Sequence, residues 1–332
     1  VGGTSSSSCF DSNGSQADPQ TYDNFWTRHA IVGADCMKNP YHGDYGANPS
    51  HDLTGGSGDD WIQGTNASET IYGGGGDDLI QGGGGNDTII GGPGRDALNG
   101  EGGDDLVIGD KAALNTGNVD QTGSRDCLNA GTGADTLVGD DYAESGDATG
   151  TPGQDILMGS TSAPDKDFLV GDNMVNSGNH RAAGGAGSDW LAGSSGTDTV
   201  IGDNYSRAGD ATGGATDSVN LGPGNDVGVG DSDAGGNGHD AEGIGNDSGS
   251  NVIFMDWIHQ LYPGKPDIVA EYDGGLNGST GDDELWGDNR GRNGADYNLQ
   301  GGGDDDLNGG SDNNTCHPGP GNNTTQNCNN LD

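Results

Sequence analysis

The sequence predicts an all-β fold, a right-handed parallel β-roll (a β-helix solenoid) wound from Gly- and Asp-rich nonapeptides. Three observations carry this. Six nine-residue units run from Gly55 to Ile108 without a gap: GGSGDDWIQ, GTNASETIY, GGGGDDLIQ, GGGGNDTII, GGPGRDALN and GEGGDDLVI. Their eighth position is always a branched aliphatic (Ile62, Ile71, Ile80, Ile89, Leu98, Val107), and their sixth is always a carboxylate. Only 28% of the 332 residues are apolar, against 70 glycines; that is too little for a large globular core but enough for a thin stack in which each coil covers the next.

The nonad explains its own residue types. Its first six positions make a turn in which Gly tolerates positive φ and close backbone approach. Positions seven to nine form a short strand whose pleat sends the eighth side chain inward and its neighbours outward. Two nonads close one coil, so each unit stacks on the unit eighteen residues later. Asp60, Asp78 and Asp96 then form one column of carboxylates, and Glu69, Asp87 and Asp105 a second. At a strand spacing of ~4.8 Å, each like-charge pair costs on the order of 1 kcal/mol even in bulk water. Ca²⁺ between successive coils, held by Asp oxygens and turn carbonyls, relieves that repulsion with the ligands a hard cation prefers. A flexible Gly/Asp linker would not keep an aliphatic at one fixed position.

On this motif, G-G-x-G-x-D-x-U-x in unbroken succession, the chain resembles the RTX (repeats-in-toxin, haemolysin-type) calcium-binding family. The resemblance covers residues 55–230 closely and 278–308 loosely. It implies several bound Ca²⁺ ions and a secreted or cell-surface bacterial protein. It also implies a calcium role for the sixth-position acids. These are Asp60, Glu69, Asp78, Asp87, Asp96 and Asp105 in the unbroken run, and Asp126, Asp135, Asp155, Asp167, Asp189, Asp198, Asp217, Asp226, Asp283 and Asp305 beyond it.

The charge narrows the partners. With 53 acids against 11 Lys and Arg, the net charge of -42 excludes nucleic acid and anionic membrane surfaces. So acidic a chain is expected to be disordered without calcium and folded with it. No apolar run is long enough to span a bilayer. Val1 in place of Met, and five Cys in a Cys-poor chain, fit an exported protein in an oxidising compartment.

Residues 1–54 carry no nonads but hold Tyr22, Phe25, Trp26, Tyr41 and Tyr45, and read as a cap over the first coil. Cys9 and Cys36 are candidate disulfide partners there; His29, Cys36, His42 and His51 do not follow zinc spacing. After Ile108, Gly-Asp recurs from Gly109, Gly139, Gly171, Gly202 and Gly230, at intervals of 30, 32, 31 and 28 residues. One eighteen-residue coil in each interval leaves inserts of 12, 14, 13 and 10 residues. Each insert is expected to follow the second nonad of its coil, near 109–120, 139–149, 171–183 and 202–211, so that all emerge as loops along one edge. Two are near copies, GDDYAESGDATG at 139–150 and GDNYSRAGDATG at 202–213. Their Asp140, Asp147, Asp203 and Asp210 are either further calcium ligands or loop-capping acids.

Inward aliphatics continue at Leu128, Leu137, Leu157, Leu169, Leu191, Val200 and Val219, but Gly228 stands where the next belongs and predicts a weak or shifted coil. The pattern lapses over 231–277. There NVIFMDWIHQLY, at 251–262, reads as a short helix or strand on the flank of the roll, ended by Pro263. Coils resume over 278–308, and 309–332 is an Asn-rich tail in which Cys316 and Cys328 can bridge. Cys127, at an outward seventh position, reads as a free thiol or an intermolecular link.

No enzyme is expected. H-E-x-x-H, G-x-S-x-G and P-loop motifs are absent from the sequence, and the calcium columns account for the carboxylates. The outward Thr row that ice binding needs is missing, and the outward aromatics Trp61, Phe168 and Trp190 are sparse for carbohydrate binding. Two readings remain. One is a secreted structural protein that calcium rigidifies and that assembles as a homo-oligomer into a filament, layer or matrix. The other is the calcium-binding module of a secreted enzyme or adhesin whose active domain lies elsewhere.

Overall fold

The computed structural model describes residues 52–160, 165–184, 187–215, 217–230, 232–234, 241–242, 249–254, 269–277, 284–286, 290–291, 306–311, 313–318 and 323–331. Among these residues the regular structure is strand and not helix, and no helix is long and apolar enough to cross a membrane. Two long parallel sheets form the roll. The first has eleven strands: Asp52–Gly56, Thr70–Gly74, Thr88–Ile90, Leu106–Ile108, Thr136–Val138, Phe168–Val170, Thr199–Ile201, Val227–Val229, Glu284–Trp286, Thr315–His317 and Asn330–Leu331. The second runs through Trp61–Gln63, Leu79–Gly84, Ala97–Gly102, Cys127–Asn129, Ile156–Met158, Trp190–Ala192, Ser218–Asn220, Val269–Asn277, Asp306–Asn308 and Thr324–Gln326.

The eighteen-residue register is observed directly: Ile62 pairs with Ile80 in one sheet and Ile71 with Ile89 in the other. Eighth-position side chains of both sheets meet in one apolar column from Leu53 through Leu128, Leu157 and Val200 to Leu307 and Cys316. Because each rung is covered by the rungs on either side, a single aliphatic per nonad suffices to exclude water. Gly228 does not shift its coil. It pairs in register with Val200 and Leu285, and Leu221 of the same coil adds apolar bulk to the column.

Beyond residue 230 the register persists where the motif had faded. Leu276 pairs with Val219 and with Leu307, nine residues ahead of Leu285. Asp306–Asn308, Thr315–His317, Thr324–Gln326 and Asn330–Leu331 continue both sheets, so these strands of the Asn-rich end are part of the roll. Cys316 pairs in register with Leu285 and forms a disulfide to Cys328, with Cα atoms 5.8 Å apart. Gly249–Phe254 is a strand antiparallel to Val269–Asn277, so the apolar segment begins as strand and not as helix; residues 255–262 lie outside those described. So do residues 1–51, with Cys9 and Cys36. Cys127 is fully buried between Ala97 and Ile156 along its sheet, which removes the intermolecular link read from its seventh position.

The inserts are not loops. They share similar length and leave the roll at the same point of successive coils, so their backbones meet and pair. Ala112–Ala113, Tyr142–Ala143, Met174–Val175, Tyr205–Ser206, Asp233–Ala234 and Arg290–Gly291 build a six-stranded parallel sheet. Ala182–Ala183, Ala211–Thr212 and Ala241–Glu242 build a smaller one. Tyr142, Met174 and Tyr205 of the insert sheet pack with Ile90, Ile108, Val138, Val170, Ile201 and Val229, ninth-position residues of the first sheet. Those side chains were expected outward; the insert sheet covers them. A third small core of Val119, Ala143, Ala148, Val175 and Ala182 fills the inserts themselves, where small side chains suit a thin layer.

One insert is shorter than its interval suggests. Nine residues, 159–167, separate Ile156–Met158 from Phe168–Val170, where six (130–135, 193–198) separate the equivalent strands of other coils. Three residues of that interval therefore fall between Met158 and Phe168, outside the insert at 139–149.

Truncating the column at a fully buried rung, Leu157→Ala, should cost about 2–5 kcal/mol in unfolding measured at saturating Ca²⁺. Tyr72→Ser, at an exposed ninth position, should stay within about 0.5 kcal/mol.

Candidate metal centre

The sixth-position acids form two ladders, each rung tied to the next through one carboxylate oxygen. On the second sheet's ladder, the amides of Asp60, Asp78, Asp96, Asp126, Asp155 and Asp189 donate to Oδ1 of Asp78, Asp96, Asp126, Asp155, Asp189 and Asp217, at 2.6–2.8 Å. On the first sheet's ladder, Glu69, Asp87, Asp105, Asp135, Asp167 and Asp198 donate to Oδ1 of Asp87, Asp105, Asp135, Asp167, Asp198 and Asp226, at 2.7–3.0 Å. This is why the sixth position is a carboxylate and why Asp is preferred: its short side chain reaches the amide of the preceding coil.

The other oxygen is left over. Oδ2 of Asp78, Asp87, Asp96, Asp105, Asp126, Asp135, Asp155, Asp189 and Asp198 is buried and has no hydrogen-bond partner. The first coil differs: Oδ2 of Asp60 accepts the Gly56 amide at 2.6 Å, and Oε2 of Glu69 accepts the Thr65 amide at 3.1 Å. In Asp167, Oδ2 accepts the Ser160 amide at 2.6 Å.

First-position glycines keep the leftover oxygens open. A methyl on Gly73 would stand 2.5 Å from Oδ2 of Asp78 and 2.6 Å from the carbonyl oxygen of Gly91 in the next coil. On Gly91 it would stand 2.3 Å from Oδ2 of Asp96 and 2.4 Å from the Gly109 oxygen. Each gap is thus shared by an unsatisfied carboxylate oxygen and a main-chain carbonyl. Among the described residues no three His, Cys, Asp or Glu side chains cluster on one point. Within each ladder the sixth-position carboxylates stand in single file, so the donor set there is carboxylate plus main-chain oxygen. Purely oxygen, anionic and built on a turn, this set fits a hard cation such as Ca²⁺ and not zinc.

Electrostatics point the same way. Burial pushes the carboxyls of Asp78, Asp87, Asp105 and Asp198 up to about 7 and that of Asp135 to about 8. Asp126 and Asp155 are raised further, by burial first and by each other's or neighbouring carboxylates next. Holding one such group ionised where it titrates near 7 instead of 3.8 costs about 4 kcal/mol. A few such groups match the whole stability of an ordinary domain, about 5–15 kcal/mol. The ionised ladder needs either protons or cations.

The remaining candidate ligands separate. Asp140 and Asp203 are buried, but Asp147 is half-exposed, accepting the Arg181 amide at 3.0 Å and facing Nδ1 of His180 at 3.6 Å. Asp210 is half-buried, and its carbonyl accepts the Ala182 amide at 3.0 Å. Asp140 instead neighbours Asp155, Asp172 and Asp110. Asp110 and Asp172 were not singled out from the sequence, although the Gly-Asp recurrence contains both. Asp283 and Asp305 lie outside the described residues.

A family model, the RTX calcium-binding nonapeptide repeat, matches the chain in four copies, at residues 54–89, 81–111, 175–204 and 301–324. The chain carries RTX repeats over these residues. None of the curated proteins compared with it matches. The first two RTX copies span the unbroken nonads, the third spans insert-bearing coils, and the last falls on the coil of Cys316.

Two outcomes follow for the RTX ladders. Their carboxyls titrate higher when folded than the ordinary 3.8, so protonation stabilises the calcium-free roll. That stability is full below about pH 4 and is lost as pH rises through about 7 to 8. Circular dichroism in chelator should therefore show more strand at pH 4 than at pH 8, and Ca²⁺ added near pH 7 should release protons in a pH-stat. Gly91→Ala should abolish a calcium gap and lower calcium affinity in dialysis, whereas Gly75→Ala, whose methyl meets nothing nearer than 3.6 Å, should leave it unchanged.

Proposed function

We propose that this chain is an extracellular calcium-binding protein whose RTX roll folds when Ca²⁺ occupies the gaps between successive sixth-position carboxylates. The single observation that carries the reading is the file of buried Oδ2 atoms with no hydrogen-bond partner. Metal binding is then folding free energy. A bridge between Cys316 and Cys328 suits an oxidising compartment outside the cytoplasm.

The role is structural, not catalytic. A parallel stack has no closing edge, so the strand row of one copy can continue in another, and the proposal extends to calcium-dependent association into a filament, layer or matrix. The same roll would equally serve as the calcium-dependent module of a secreted enzyme or adhesin.

Circular dichroism and light scattering during a Ca²⁺ titration from chelator separate these readings. Strand signal and particle mass rising together is the expected result. Strand signal rising at constant monomer mass would leave the calcium role and favour the module. No response in either would overturn the calcium role.

A further inference from the structure

The two edges of the roll are not equivalent. On the edge without inserts the acids form one file. On the insert edge a second rank stands beside the first, and it belongs to the inserts. Asp110, Asp140, Asp172 and Asp203 each follow the glycine that opens an insert, and all four are buried. They stack rung on rung: the amides of Asp110, Asp140 and Asp172 donate to the carbonyls of Asp140, Asp172 and Asp203 at 3.2–3.3 Å.

The leftover oxygens of the first rank are aimed at this second one. A methyl on Gly109, Gly139 or Gly171 would stand 2.6 Å from Oδ2 of Asp126, Asp155 or Asp189 respectively. The same methyls would stand 1.8–1.9 Å from the carbonyl oxygens of Gly139, Gly171 and Gly202. Each unpartnered Oδ2 therefore points at the Gly-Asp step that carries a second carboxylate. Asp140 spends Oδ1 on the Gly153 amide at 2.8 Å, and its buried Oδ2 has no partner. Asp140 feels the charges of Asp155, Asp172 and Asp110, and Asp172 those of Asp189, Asp217 and Asp155. Arg125 bears on Asp155, but one guanidinium cannot balance six buried carboxylates (Asp110, Asp126, Asp140, Asp155, Asp172, Asp189).

We propose that the insert edge carries divalent-cation sites of a second kind, in which Asp110, Asp140 and Asp172 join Asp126, Asp155, Asp189 and the glycine carbonyls in holding calcium. These sites pin the insert sheet to the roll. The inference rests on the calcium role proposed above.

The test compares the full chain with Asp140→Asn/Asp172→Asn and with Asp87→Asn/Asp105→Asn on the single-file edge, by equilibrium dialysis of Ca²⁺ and by thermal melting with and without chelator. With no cation on the insert edge, removing two buried like charges should stabilise the roll in calcium and in chelator alike. With a cation there, the double variant should bind less Ca²⁺ and melt about 5 °C or more lower in millimolar Ca²⁺, while melting no lower in chelator. Unchanged calcium binding, or a higher melting temperature in calcium, while Asp87→Asn/Asp105→Asn lowers both, would overturn this inference and leave the general calcium role standing. Indifference of all three proteins to calcium would overturn both. Should the double variant not fold, Asp172→Asn alone is read by the same two measurements.

Discussion

From Asp78 to Asp198, with Asp167 the exception, each ladder carboxylate does two things at once. Through Oδ1 it completes the backbone of the neighbouring coil, and that bond forces its charge into the interior, where Oδ2 finds nothing to accept. A neutral side chain with one acceptor would serve the first demand; Asn could bond the amide. Only a carboxylate serves the second, which is to gather charge that a cation can answer. The glycine-rich turn is a consequence of the same constraint, because a Cβ at the first position would collide with both oxygens of the gap. The thin apolar column is a further consequence. A stack with one aliphatic per nonad has little hydrophobic energy to spare, so the ladder's buried charge weighs heavily in its stability.

The roll was legible in the sequence because its period is short and its positions are strict. Ile62, Ile71 and their successors stand where the eighth position places them, and the eighteen-residue register follows from counting. The inserts were legible only as intervals. Their copies at 139–150 and 202–213 pointed to a shared structure, yet short pairs such as Tyr142–Ala143 and Met174–Val175 have no strand signal of their own. What makes them strands is the neighbour one coil away, a contact that local pattern does not contain. The same holds for the ninth-position residues they cover: pleat alternation sends Ile108 and Val138 outward, and only the insert sheet turns that outward face into a core.

At the site, the acids of the ladders were readable one by one, but their division of labour between two oxygens was not. Pairing Asp140 with Asp147 followed from their presence in one insert, whereas the fold groups acids by rung: Asp140 with Asp110 and Asp172, Asp147 with Arg181. Vertical neighbours in a solenoid matter more than sequence neighbours. Leu276 makes the same point. It lies nine residues before Leu285, and its strand pairs with that of Val219 across a long stretch with no recognisable nonad.

The insert sheet also restricts how this chain can change in length. Among the coils of Gly55–Ile108, which bear no inserts, any eighteen residues could be duplicated or lost, and both ladders would stay in phase. Coils that carry inserts have no such freedom, because Tyr142 must meet Met174, and Met174 must meet Tyr205. The first coils of the roll are therefore a ruler whose graduations can be added or removed, and the insert-bearing coils are indexed, each keyed to those on either side.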